Sequence, residues 1–137
     1  MSFSQYLSQE VLNYIFDKSA TLDTQPTIHV ALSTADPGDT GASISEPVGD
    51  NYARVATTSA DWNVATDASP SILDNANPIT FGEVDPAGDW GLCTHFGLFD
   101  ALTSGNYLGG STLGDPKQPT AGDTPRFSAG ALDVSLT

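Results

Sequence analysis

The chain has 137 residues, of which 39% are hydrophobic and 15% charged, and this is the size of one compact domain with a core of its own. Seventeen acidic residues against four lysines and arginines give a formal net charge of −13. The four cations are scattered along the sequence, whereas nucleic acid and anionic membranes require clustered cations, so both are disfavoured as partners. The single cysteine, Cys93, excludes an internal disulfide and cysteine-rich zinc sites.

The first predicted element is an amphipathic α-helix over residues 2–19. Apolar side chains recur there at spacings of three and four, and Ser2 with Gln5 fits a capping box at the start. The residues that follow this spacing are Leu7, Val11, Tyr14, Ile15 and Lys18. Such a helix must pack its apolar stripe either on the chain's own β body or on a partner protein.

After the helix the pattern changes to short strands, so that residues 27–137 are predicted to form the β part of a single domain. The predicted strands are Thr27–Ser33, Tyr52–Thr58, Ile79–Glu83, Leu92–Asp100, Asn106–Thr112, Arg126–Ser128 and Ala131–Thr137. Residues 35–51 and 62–77 are predicted as exposed loops, and Ser104-Gly105-Asn106 is the best hairpin signal. Because no helical crossovers separate the strands, we expect an all-β fold: an antiparallel β-sandwich or barrel preceded by one helix.

No run of the sequence approaches the roughly 18 apolar residues of a membrane span. The first ten residues also lack the basic and apolar layout of a signal peptide. We therefore expect a soluble protein made in a cytoplasm, with neither a membrane nor a nucleic acid as partner.

The segment Trp90–Asp100 places Cys93 and His95 two residues apart, and the alternation of a strand puts both on one face. A thiol beside an imidazole could be a nucleophile with its base, or two metal ligands. However, both faces of this strand are apolar enough to be buried, as in a central strand packed on two sides. We therefore favour a core or interface position for this segment.

The remaining candidates for chemistry are weak. Asp36–Asp39 and Asp85–Asp89 could supply oxygen ligands to a cation, but Asp before Pro or Gly is also the ordinary composition of a β-turn. The sequence has no phosphate-binding Gly-rich loop, dinucleotide fingerprint, zinc-protease motif or nucleophile elbow. The abundance of carboxylates does not by itself indicate a glycoside hydrolase. We expect no enzymatic activity, no cofactor and no metal.

Protein contacts are the more promising kind of site. The first helix carries aromatic side chains of the type enriched at interfaces, and the two arginines can neutralise carboxylates within the fold or across a subunit contact. The interface candidates are Phe3, Tyr6, Leu7, Tyr14, Phe16, Arg54 and Arg126.

Several segments, taken in order, resemble the small virion proteins of tailed phages that are labelled capsid decoration (cement) or tail-fibre-like proteins. The similar segments are Ser4–Ile15 (Ser-x-Tyr-Leu-x-x-x-x-Leu-x-x-Ile), His29–Asp39, Glu46 through Asn51–Val55, Ile79–Phe81, Trp90–Ala101, Gly105–Gly109, and Ala121–Asp123 through Phe127–Leu132. The sequence departs from this group at Cys93 and Leu98, where smaller or β-branched residues are expected.

This resemblance implies a structural protein with a jelly-roll-like body that forms a homotrimer. It would be synthesised in the host cytoplasm and bind the major capsid protein on the outer surface of the phage head as cement. The alternative is a receptor-recognition module at the tail tip or tail fibre, whose loops 35–51 and 62–77 would contact a host glycan or protein. A small glycan hydrolase ranks third.

Overall fold

The computed structural model describes residues 2–18 and 26–135. Within these residues the chain forms one α-helix, α1 (Gln5–Ile15), and one 3-10 turn, Ser59–Asp61. The strands are β1 (Ser2–Phe3), β2 (His29–Ser33), β3 (Val55–Ala56), β4 (Ile72–Asp74), β5 (Ile79–Thr80), β6 (Cys93–Phe99), β7 (Tyr107–Lys117), β8 (Arg126–Phe127) and β9 (Asp133–Ser135). The prediction of an all-β body with one N-terminal helix is confirmed. No helix among the described residues has the length and apolar character to cross a membrane.

Five strands form one antiparallel sheet in the order β1-β7-β6-β2-β3. Its centre is β6, which pairs with β2 over five residues and with β7 on the other side. The β6–β7 connection turns at Ser104 and Gly105, which have φ angles of 53° and 74°, and the Asp100 carboxylate accepts a hydrogen bond from the Asn106 amide. The predicted hairpin is confirmed, because its residues supply the left-handed turn that joins the two strands.

Two small antiparallel sheets, β4–β9 and β5–β8, complete the body. They share one apolar core with one face of the large sheet, as a sandwich does. The buried members of this main core are Val30, Leu32, Ile79, Phe81, Val84, Trp90, Cys93, Phe96, Leu98, Leu108 and Leu132. The opposite face of the large sheet buries a smaller cluster of Ala31, Phe99 and Tyr107, against which Ile44 packs. The central strand is therefore packed on both faces, as its composition predicted.

The predicted boundaries of the helix, 2–19, are wrong at both ends. Ser4 is extended, with φ −62° and ψ 160°, and its hydroxyl accepts a hydrogen bond from the Leu7 amide. This N-cap replaces the predicted capping box, and Ser2–Phe3 pairs instead with β7 as β1. The helix ends at Ile15, and Ser19 lies outside the described residues.

The predicted loop 62–77 is wrong in part, because it contains β4, which pairs with β9. Asn75, immediately after β4, is fully buried: its side-chain nitrogen donates to the carbonyls of Asn77 and Ser128, and its oxygen accepts from the Leu132 amide. These bonds hold this segment on the body. The bonds from Asn75 to Ser128 and Leu132 join residues more than fifty positions apart. No local sequence pattern could therefore predict that this segment is held on the body.

The predicted loop 35–51 contains no strand, as expected, but it is not exposed throughout. Pro37 and Pro47 are buried, and Ile44 covers the second cluster. The strands themselves are mostly shorter than predicted; only β7 is longer, reaching Lys117. Of the last predicted strand, residues 136–137 lie outside the described part of the chain.

Candidate assembly surface

The helix α1 is held to the body mainly at its first turn. The Ser4 amide donates to the Leu108 carbonyl of β7, and the Gln5 amide donates to the Asp39 carbonyl, both at 2.9 Å. The Ser4 hydroxyl donates to the Tyr107 carbonyl, and the Leu7 side chain packs against the main core. No residue of α1 is fully buried, so the rest of the helix contributes little to the core.

The last turn of α1 instead presents apolar side chains to solvent. Leu12, Ile15 and Phe16 are 58%, 67% and 66% exposed, and their spacing of three and four places them together on one face. We call these three residues the apolar helix end. In a chain with a net charge of −13, this face carries no charged side chain. It is therefore a contiguous apolar surface of the kind that usually marks a protein contact.

A C-terminal capping motif stabilises this last turn of the helix through two backbone hydrogen bonds. The Asp17 amide donates to the Tyr14 carbonyl and the Lys18 amide donates to the Asn13 carbonyl, at 3.2 and 2.8 Å. Asp17 has a φ of 53°, so these bonds form a Schellman motif with an aspartate at the position that glycine usually occupies. The motif keeps the apolar helix end helical although nothing in the described chain covers it.

The structure divides the predicted interface residues of the first segment into two groups. Phe3 and Leu7 are half-buried against the body, whereas Tyr6, Tyr14 and Phe16 are 40%, 51% and 66% exposed. Leu12 and Ile15 were not among the interface candidates. The spacing predicts that Ile15 follows the apolar stripe of Leu7, but Ile15 lies with Leu12 and Phe16 on an exposed face. The signal for this face is the spacing of three and four residues from Leu12 to Ile15 and Phe16.

Arg54, another interface candidate, is buried inside the fold. Its Nε and Nη2 donate to the two carboxylate oxygens of Glu46, and its Nη1 donates to the carbonyls of Ala101 and Ser104. The guanidinium thus neutralises a carboxylate within the fold, which is one of the two roles predicted for it. Arg126, in contrast, is exposed on β8.

Glu46 also accepts a hydrogen bond from the Tyr52 hydroxyl at 2.8 Å. Burial raises the pKa of Tyr52 far above its ordinary value, and the Glu46 charge raises it further. Tyr52 therefore stays protonated, and the Leu32 amide donates to its oxygen. This network ties loop 35–51 to the large sheet as a structural element.

The predicted sharing of one strand face by Cys93 and His95 is wrong. The β6–β7 pairing has an irregularity between these two residues, and this changes the alternation of side chains. Cys93 points into the main core, where burial and the Asp89 charge raise its pKa to about 11. His95 instead faces Asp36, with 4.0 Å between Nε2 and Oδ2. A buried thiol whose pKa is raised, with the neighbouring histidine on the other face of the strand, is poorly suited to act as a nucleophile.

The aspartate-rich loops are built as turns. Asp36 accepts a hydrogen bond from the Gly38 amide, and Asp85 and Asp89 accept from the amides of Ala87 and Gly91 in the same way. These are Asx turns, which the composition of the loops predicted. In the described part of the chain, no three His, Cys, Asp or Glu side chains are grouped as metal ligands.

Comparison with known proteins agrees with an assembly role. A search of curated proteins found no match. A family model described as podophage GP4 fiber I protein gp80 matches residues 2–135, nearly the whole chain. The chain therefore belongs to the podophage GP4 fiber I protein gp80 family and is a structural protein of a phage virion.

Proposed function

We propose that this protein is a fibre subunit of the phage particle and that the apolar helix end attaches it to a neighbouring protein of the particle. The observation that carries this proposal is the exposure of Leu12, Ile15 and Phe16 on one uncharged helix face. The description of the family as a fibre protein supports the location.

The apolar helix end can supply a useful binding free energy. Complete burial of one large aliphatic or aromatic side chain is worth about 1.5–3 kcal/mol. Because Leu12, Ile15 and Phe16 are each more than half exposed, covering all three would contribute about 3–5 kcal/mol. A few central apolar side chains dominate the energetics of many interfaces in this way.

Charge also favours attachment through this face. Copies of a chain with a net charge of −13 repel one another, and they repel other acidic proteins. A contact at an uncharged face keeps carboxylates out of the buried interface, where an unpaired charge would be costly. We also propose that the protein forms a cyclic homotrimer, in which the apolar helix end of each subunit is left for the neighbouring protein.

A position on the outer capsid, as a decoration protein bound to the major capsid protein, is the competing proposal. The acidic surface suits any outward position on a particle, whether head or fibre. The family description favours the fibre, and the experiment below distinguishes the two positions. A receptor-recognition role for loops 35–51 and 62–77 is compatible with the fibre position.

We also propose that the protein has no catalytic role. The buried thiol of Cys93 has a pKa raised to about 11, and His95 lies beside Asp36 and Thr94. Neither residue is placed for nucleophilic chemistry with the other. An adhesive function requires no such pair.

The test combines labelling of particles with two variants. Antibody against the protein, imaged by electron microscopy, should label fibres projecting from the tail region. The variant Ile15→Glu/Phe16→Glu should fold as the wild type does by circular dichroism but be lost from purified particles. The matched control is Val48→Glu, which replaces an apolar residue that is 93% exposed on loop 35–51 and should leave incorporation unchanged.

Two results would contradict the proposal in different ways. Label spread over the head would assign the protein to capsid decoration. Normal incorporation of the helix variant, with fibres labelled, would keep the fibre role and remove the apolar helix end as the attachment surface.

A further inference from the structure

A second feature, separate from α1, is a cavity of about 330 Å³ beside the ends of β6, β7 and β8. Its wall includes the buried apolar residues Leu32, Phe81, Phe96 and Leu132. Cavities of roughly 300–1,000 Å³ with apolar walls and a few polar groups are typical sites for small molecules. We call this cavity the Arg126 pocket, because that side chain also lines it.

Arg126 differs from the other arginine of the chain. All three nitrogens of the Arg54 guanidinium donate hydrogen bonds within the fold, and two of them meet the Glu46 carboxylate. In the described residues, Arg126 makes neither an ion pair nor a side-chain hydrogen bond. This is notable because acidic residues outnumber lysines and arginines by 17 to 4.

Of the charged side chains that line the pocket, Arg126 is the one that forms no ion pair among the described residues. Lys117 and Asp115 also line the cavity, and they pair with each other, with 2.6 Å between Nζ and Oδ2. Their charges cancel. The guanidinium of Arg126 therefore offers a planar fork of donors that fits a carboxylate or a phosphate.

We infer that the Arg126 pocket binds a small amphiphilic anion, an alkyl chain that ends in a carboxylate or a phosphate. The alkyl chain occupies the apolar wall and the anionic group meets Arg126. Inorganic anions alone are poor ligands, since the net charge of −13 repels them and they gain nothing from the apolar wall. This inference does not depend on the fibre proposal.

The test is titration of the isotopically labelled full chain with sodium decanoate and decyl phosphate below their micelle concentrations, followed by NMR. Both should shift the amide signals of Cys93 and Leu132 and the Nε–H signal of Arg126. Arg126→Gln should weaken binding about tenfold or more, because it removes a charge-assisted hydrogen bond. Lys18→Gln, which changes the net charge equally at the end of α1, should leave binding unchanged.

Decanol supplies the same alkyl chain without the charge. It should bind the wild type more weakly than decanoate does, whereas decanol and decanoate should bind Arg126→Gln with similar affinity. Arg126→Lys keeps the charge and should retain part of the affinity. Sedimentation with phosphatidylglycerol vesicles then separates the sources: Arg126-dependent sedimentation assigns the ligand to a lipid surface, and its absence assigns a free fatty acid or alkyl phosphate. Absence of shifts at the pocket, or equal affinity for decanol and decanoate, would overturn the inference.

Discussion

The guanidinium carbon of Arg54 lies 3.6 Å from the centre of the Phe99 ring. The same guanidinium is paired with Glu46 on loop 35–51 and bonded to two carbonyls of the β6–β7 connection. One buried side chain thus joins loop 35–51 to the end of β6 and the connection that follows it, about fifty residues further along the chain. An arginine is needed for this, because a lysine has neither the planar fork nor the flat face for stacking on the ring.

We expect Arg54→Lys to lower the free energy of unfolding by about 2 kcal/mol, since it loses several charge-assisted bonds while keeping one charge near Glu46. Urea denaturation followed by tryptophan fluorescence measures this change. Arg126→Lys is the matched control and should stay within about 0.5 kcal/mol of the wild type. Equal effects of the two substitutions would show that the Arg54 contacts contribute little.

Substitution by alanine should have very different effects on the stability of the protein at two glycines of β7. A Cβ at Gly110 would overlap the Phe96 carbonyl oxygen and lie 2.5 Å from the Tyr107 hydroxyl oxygen, whereas a Cβ at Gly114 would have no atom within 4 Å. We expect Gly110→Ala to destabilise the protein by about 3 kcal/mol, because the backbone must shift. Gly114→Ala should change the melting temperature little. A stable Gly110→Ala protein with unchanged amide spectra in β6 would contradict this.

The Schellman motif at the end of α1 predicts that two substitutions of Asp17 change the stability of the last turn in opposite directions. Asp17 has a φ of 53°, which glycine adopts without strain. Asp17→Gly should stabilise the last turn by about 0.5–1 kcal/mol, and Asp17→Ala should weaken it by a similar amount. Hydrogen exchange at the amides of Phe16 and Lys18 should slow in the first variant and accelerate in the second. The same change in both variants would contradict the role given to this motif.

The buried thiol of Cys93 predicts a pH dependence. Burial raises its pKa from 9.0 to about 11, so the thiol is neutral in both the folded and the unfolded chain at pH 7. Between pH 9 and 11 the Cys93 thiol ionises in the unfolded chain but not in the folded one. The contribution of Cys93 to the free energy of unfolding is therefore lost as the pH rises through this range.

Alkylation of Cys93 by iodoacetamide at pH 8 should accordingly be about a hundredfold slower in the folded protein than in urea. The reactive species is the thiolate, and the raised pKa lowers the fraction of thiolate at this pH by about that factor. Loss of access slows it further. A folded-state rate close to the rate in urea would show that the thiol is not buried as described.

The sequence was sufficient where the determining contacts are local. The helix and the hairpin at Ser104-Gly105 were predicted because spacing and turn residues act within a few positions. Phe16 was also recognised as an interface candidate. Its neighbours on the exposed face, Leu12 and Ile15, are not among the candidates, because the sequence does not reveal that only the start of the helix contacts the body.

The remaining features depend on contacts between distant residues. The first residues were assigned to the helix because nothing in Ser2–Phe3 reveals its pairing with β7. The face of Cys93 was wrong because a pairing irregularity appears only when β6 meets β7. The Arg126 pocket is equally hidden, since its wall joins Leu32 to Leu132, one hundred residues apart.

The attachment of α1 through β1 has a mechanical consequence. β1 meets β7 over two residue pairs, whereas β6 meets β2 over five. Tension applied through the helix would therefore detach the first few residues while the central strands stayed together. A subunit attached through the apolar helix end, as proposed above, would release its first residues under load before its β body unfolds.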